Sequence, residues 1–161
     1  MKKVLIALDY NPTAQHVAEV GFSMAQAMSA EVTLLHVLAD ARYYSSAEYS
    51  PIVGFLGPID MGSLSADSIE GLKKASQHFL DQSKQHLGDK KIKTLIKEGD
   101  FAESIMQAAK DLRADVIVMG SHSRRWLDEI LMGSITEKVL RHSTVPLFIV
   151  PTKQKNKNSK G

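Results

Sequence analysis

The sequence predicts an α/β domain built on a parallel sheet, and three observations predict it. Its apolar segments are short continuous runs rather than strict alternations, as in strands buried on both faces. These runs alternate with stretches of helical periodicity about 10 to 20 residues long, the order expected when helices cross over between parallel strands. The chain has 161 residues, 43% of them hydrophobic and 24% charged, which suits one soluble domain with a sizeable single core.

The first run, Lys3 to Leu8 (KVLIAL), is nearly all apolar and reads as a buried strand. After it, Ala14, Val17, Ala18, Gly21, Ala25 and Met28 recur at helical spacing with polar residues between them. EVTLLHVL is a second buried strand. Farther on, Ile69, Leu72, Ser76, Phe79, Leu80 and Leu87 form one helical stripe. KIKTLIKEG alternates charged and apolar residues, so it reads as a strand near a sheet edge. FAESIMQAAKDL is helical and DVIVMG is another buried strand. SITEKVLRH is a short helix, with Ser134 as cap and Glu137 at capping-box spacing. VPLFIVP, residues 145–151, is a last strand closed by a proline near each end. The order is βαβ, a long insert, then αβαβαβ. Ligands of such sheets bind at the carboxyl ends of the strands, where the strand order reverses.

Two segments stand apart. Residues Ala39–Ala66 carry three of the four tyrosines, three glycines and two prolines. That is long for a connection and rich in turn formers. It reads either as a mobile lid over a site or as a surface loop. The end of the chain, 152–161, is polar and basic and is expected to be disordered. The domain is expected to span 1–151.

Composition excludes several functions. There is no cysteine, so disulfides and cysteine-based redox or zinc chemistry are out. The net charge is only +2, with no continuous basic face to suggest nucleic acid. The first apolar run ends at Asp9, too soon for a signal-peptide core or a membrane span, so a cytoplasmic protein with no membrane partner is expected. The six histidines make no HExxH or other close ligand pair. No Walker A pattern and no G-x-G-x-x-G occurs, which argues against a P-loop ATPase and a dinucleotide-dependent dehydrogenase.

The segment Gly120 to Ser134, GSHSRRWLDEILMGS, holds the densest set of hydrogen-bond donors in the chain. Its pattern is G-x-x-S-x(9)-G-S. Together with VLIALD, LLHV, ADVIVMGSH and LMGSITEKVLRHSTVPLFIVP, it resembles the universal stress protein family over about residues 1 to 151. ATP-binding members of that family carry G-x-x-G-x(9)-G-[ST] after the fourth strand. Gly120, Gly133 and Ser134 match. Ser123 stands where the family has its second glycine. A position at positive φ would cost serine about 1 kcal/mol relative to glycine, while its hydroxyl adds a phosphate contact.

The resemblance implies a five-stranded sheet in the order 3-2-1-4-5 and a nucleotide site, with ATP, AMP or ADP as ligand. It implies Asp9 near the ribose or a divalent ion, Mg²⁺ or Mn²⁺, that arrives only with nucleotide. Asp9 also reads as the start of a turn. Ala7 and Val37 match adenine-contacting positions, with ordinary core packing as the other reading. Physical chemistry supports the phosphate end independently. Gly120 allows close approach where a Cβ would obstruct. Ser121, His122 and Ser123 present backbone N–H groups and hydroxyls, and Arg124 and Arg125 offer forked donors. Ser134 and Thr136, with Ile135 between them, lie at a helix N-terminus that favours an anion. Gly120 and Gly133–Ser134 also read as no more than a strand exit, a turn and a cap. Trp126 is either a nucleotide contact or a residue packing this loop onto the body. No general base is assignable beyond Asp9, so a regulator is expected rather than an enzyme, with at most weak ATP hydrolysis. The apolar last strand at a sheet edge, and the resemblance, imply a homodimer through 145–151. A nucleotide-free dimeric adaptor is the alternative, and the protein partner is unknown.

Overall fold

In a computed structural model, the described residues are 1–9, 13–38, 69–121 and 134–152. They form β1 (Lys3–Ala7), α1 (Ala14–Ala27), β2 (Glu31–Leu38), α2 (Ile69–Leu87), β3 (Lys93–Glu98), α3 (Phe101–Leu112), β4 (Val116–Gly120), α4 (Ser134–His142) and β5 (Leu147–Val150). The strands make one parallel sheet in the order β3-β2-β1-β4-β5. The expected class and strand order are both observed. The whole insert, 39–66, lies outside the described residues, as does 153–161.

The continuous apolar runs feed two cores at once, because successive strand residues point to opposite faces. Val4, Ile6, Leu34 and Val118 meet α1 and α2 through Val17, Ala18, Phe22, Phe79 and Leu80. Leu5, Leu35, Ile117 and Met119 meet α3 and α4 through Ala102, Ile105, Ala109 and Val139. β3 is the half-exposed edge that its charged–apolar alternation suggests. The other edge is β5.

Two local devices set helix placement. Gly21 lets α1 approach the sheet closely: a Cβ there would lie 2.9 Å from Ile6 Cδ1 and 3.0 Å from Val118 Cγ1. Asp100 caps α3, its carboxylate accepting from the Glu103 amide at 2.9 Å. That bond holds the carboxyl below the usual range, with Lys138 of α4 assisting.

Two boundaries differ from expectation. β5 spans only Leu147–Val150, flanked by Pro146 and Pro151; Pro146 has no N–H to donate to β4. The Pro146 carbonyl still accepts from the Ile117 amide at 2.9 Å. The Glu137 carboxylate accepts from Arg141 Nη2 at 2.7 Å, one turn along α4. Thr152, expected to start a disordered tail, is buried and hydrogen-bonded to Ser121. The folded unit therefore extends one residue past 151.

Gly21→Leu should drive four carbons into Ile6 and Val118. The expected loss is about 1–3 kcal/mol of stability, read as a lower urea midpoint at unchanged slope.

Candidate functional site

The chain runs outward from β1 through β2 to β3, then returns to β4 on the other side of β1. The strand order therefore reverses between β1 and β4, and the crevice for a ligand opens at their carboxyl ends. On the β1 side, this end carries Ala7, Leu8 and half-buried Asp9. On the β4 side it carries Gly120 and Ser121.

The first turn of α4 is pinned beside this end. Thr136 is only 1% exposed, and its hydroxyl donates to the Gly120 carbonyl at 3.0 Å. Lys138 reaches Asp100 Oδ1 at 3.2 Å, and Val139 is fully buried. The amino end of α4, the positive end of its dipole, is thereby held next to the strand exit.

Several sequence-derived candidates are placed by these contacts. Gly120 and Thr136 are brought together. The Thr136 hydroxyl is held by the Gly120 carbonyl. The Ser121 amide donates to the Val150 carbonyl at 2.9 Å, and its hydroxyl is engaged by Thr152. Val37 is buried among Leu5, Ile105 and Met119, and half-buried Ala7 and Ile135 pack against the same cluster. Ser134 opens α4. His122, Ser123, Arg124, Arg125, Trp126 and Gly133 lie outside the described residues.

Asp9 is the carboxylate at the crevice on the β1 side. One carboxylate is what an Mg²⁺ delivered with phosphate oxygens requires, since such ions take one or two protein carboxylates and keep waters. Among the described residues, no group of three His, Asp or Glu side chains could hold a metal without a nucleotide.

His36 is a residue whose role the sequence reading missed. It is 3% exposed, and its Nδ1–H donates to the Leu8 carbonyl at 2.8 Å. Its ring meets Phe79 of α2 edge-on, with centroids 5.8 Å apart. The carbonyl it holds lies between Ala7 and Asp9, so His36 fixes the exit of β1. Burial pushes its pKa down to about 4, against a small opposing effect of the Leu8 carbonyl. The ring is therefore neutral. The available signal was a lone histidine inside an otherwise apolar run, EVTLLHVL.

A groove of about 790 Å³ lies elsewhere, on the α3 side of the sheet, lined by residues such as Asp100, Gln107, Arg113 and Thr144. It contains none of the candidate residues. On its walls Lys97 pairs with Asp111 and Asp100 with Lys138.

Comparison with known proteins agrees with this fold. Residues 1–151 match the model of the universal stress protein family. Universal stress protein MJ0577 of Methanocaldococcus jannaschii is 31% identical over 165 residues, covering 98% of this chain and 97% of that protein. Its solved structure superposes with a TM-score of 0.72 at 29% identity, covering 96% and 98% of the two chains. A universal stress protein solved in complex with cAMP has a TM-score of 0.58 at 17% identity, covering 92% and 95%. One from Archaeoglobus fulgidus, in complex with dAMP, has a TM-score of 0.59 at 16% identity, covering 92% and 97%. At those lower identities the likeness is one of fold. Among the described residues, no helix is long and apolar enough to cross a membrane.

The buried histidine predicts a pH dependence. The unfolded ring takes up a proton near its ordinary value of 6.5, and the folded ring only near 4. Stability should be full above about pH 6.5 and fall as pH is lowered toward 4, by up to about 1.4 kcal/mol per unit. His36→Gln keeps a donor for Leu8 but does not titrate. Urea unfolding at pH 7.5, 6, 5 and 4 should show a shallower acid loss in that variant than in wild type. Parallel pH profiles would refute the assignment.

Proposed function

The chain belongs to the universal stress protein family, and from that premise we propose that it binds an adenine nucleotide at the β1–β4 switch point and acts as a nucleotide-dependent regulator. The observation that carries the reading is the Thr136–Gly120 hydrogen bond. It holds the anion-favouring end of α4 against the strand exit where the motif begins. Relatives solved with cAMP and dAMP lend support to an adenine nucleotide. The preferred ligand is ATP with Mg²⁺ or Mn²⁺, the ion on Asp9 and the phosphates. Gly120, His122, Ser123, Gly133 and Ser134 line the phosphates, Arg124 or Arg125 adds charge, and Ala7 and Val37 flank the base. The nucleotide shifts populations of a surface read by a protein partner in the cytoplasm, without turnover.

Calorimetric titration tests this. Wild type should bind ATP in the presence of Mg²⁺. Gly133→Val should abolish binding by filling the space for close approach. Arg124→Ala should weaken it by about 1–3 kcal/mol, the scale of a charged hydrogen bond. Ser123→Gly should bind as well as wild type or better. If neither wild type nor Ser123→Gly binds at millimolar ATP, the nucleotide-free adaptor replaces this reading.

The same reading includes a homodimer through the last strand. β5 is a sheet edge, and Phe148 on it is 38% exposed. An apolar edge of this kind is suited to pairing. Light scattering at micromolar concentration should give twice the chain mass for wild type and the single mass for Phe148→Asp. A monomeric wild type would remove the dimer from the proposal.

A further inference from the structure

We propose that His36 is a positioning residue of the nucleotide site: its imidazole staples the exit of β1 to β2 and so holds Ala7 and Asp9 in place against Val37. It contributes no ligand contact of its own. The inference rests on the nucleotide reading above, and it uses only site residues at the ends of β1 and β2.

The ladder between these strands ends at the pair Ala7↔Leu35. One further backbone bond follows it, from the Leu8 amide to the Leu35 carbonyl at 2.8 Å. The next polar atom of β1 is the Leu8 carbonyl, and it is held by a side chain, His36 Nδ1 at 2.8 Å. A carbonyl oxygen can only accept, so Nδ1 carries the proton. Two successive peptide planes are therefore tied to β2, Ala7–Leu8 by the backbone bond and Leu8–Asp9 by the imidazole. Because each peptide is a rigid plane, fixing two in succession sets both backbone torsions of Leu8. The Cα of Asp9 belongs to the second plane, so its position is set as well.

The staple lies on one face of the sheet and the residues it serves lie on the other. Leu8 packs in the cluster that α1 and α2 cover, and the His36 ring meets Phe79 of α2. Ala7, Val37 and Ile135 pack in the cluster that α3 and α4 cover. That second face is where α4 presents its amino end beside Gly120. His36 thus acts from behind, through the main chain. It is 3% exposed and Leu8 4%, so the staple is closed before any ligand arrives, and a site whose walls are already placed loses less on binding.

The experiment separates the donor from the ring. His36→Phe and His36→Leu fill the space but cannot donate. His36→Asn puts an amide nitrogen near the place of Nδ1 but gives up the contact with Phe79. Each protein is titrated with ATP and Mg²⁺ at pH 7.5, adenosine binding is followed by ligand NMR at millimolar concentration, and urea midpoints are recorded. His36→Phe and His36→Leu should raise the ATP Kd about 3–10-fold, the scale of one neutral hydrogen bond. Adenosine should weaken by a similar factor, because Ala7 and Val37 flank the base. His36→Asn should stay within about 2-fold of wild type for both ligands even though its urea midpoint falls. If wild type binds ATP and the donor-free variants bind it equally well, the staple has no positioning role. If His36→Asn loses as much affinity as they do, packing of the ring is what matters and the proposal is overturned. Weakened ATP with unchanged adenosine would overturn it too, since the base wall would not have moved. If wild type binds neither ligand, the nucleotide reading fails first and takes this inference with it.

Discussion

The pairing of β1 on both its edges, with β2 on one side and β4 on the other, is the constraint from which the rest of the structure follows. Val4, Leu5 and Ile6 are essentially inaccessible to solvent. A strand so enclosed must present an apolar side chain to each face in turn, and each face must then be covered by helices. Gly21 brings α1 onto one face and the small residues Ala102, Ala108 and Ala109 let α3 lie on the other. With β1 central and the chain departing from it in both directions, a crevice at its carboxyl end is a consequence of topology. The site needs no separate scaffold.

What the site does need is a fixed frame, and part of the polar inventory is spent on that. Ser121 in the donor-rich segment and Thr136 just beyond it both direct their hydroxyls at protein atoms. A buried hydroxyl left unbonded would cost on the order of 1–3 kcal/mol. Within a strand-to-helix connection, the nearest partners are the carbonyls and amides at strand ends. Density of donors in a motif therefore overstates the number available to a ligand. The same holds at Asp100, whose carboxylate caps α3 and also anchors Lys138 of α4.

Elements with one clear periodicity were legible. EVTLLHVL, FAESIMQAAKDL and SITEKVLRH read as the strand and the two helices observed. Strand order was not legible from periodicity, because a continuous apolar run reports burial on both faces and says nothing of which strand lies alongside. The resemblance supplied that order. The contacts that shape the site were also hidden. His36 to Leu8 spans 28 positions, Ser121 to Thr152 spans 31 and Lys138 to Asp100 spans 38. No local pattern encodes such a pair. Thr152 looked like the first residue of a polar tail because its partner lies on the far side of two elements. Ala7, Val37 and Ile135 remain compatible with both readings at once, since a residue packed in the core at a strand or helix end can still form the wall of a crevice.

The two central strands end in the same way, and the reason is electrostatic. At the carboxyl end of a parallel sheet the last carbonyl oxygens carry partial negative charge toward the space a ligand would fill. A phosphate placed there would meet repulsion unless those oxygens were covered. The Leu8 carbonyl is covered by His36 Nδ1–H and the Gly120 carbonyl by the Thr136 hydroxyl. Each donor comes from a neighbouring element and is almost wholly buried, so water does not compete for it. A neutral histidine suits the first position better than lysine would, because a buried ammonium would require a counter-charge. A threonine suits the second, because its methyl group packs while its hydroxyl donates. Both strand-end carbonyls are thus covered by buried side chains from neighbouring elements.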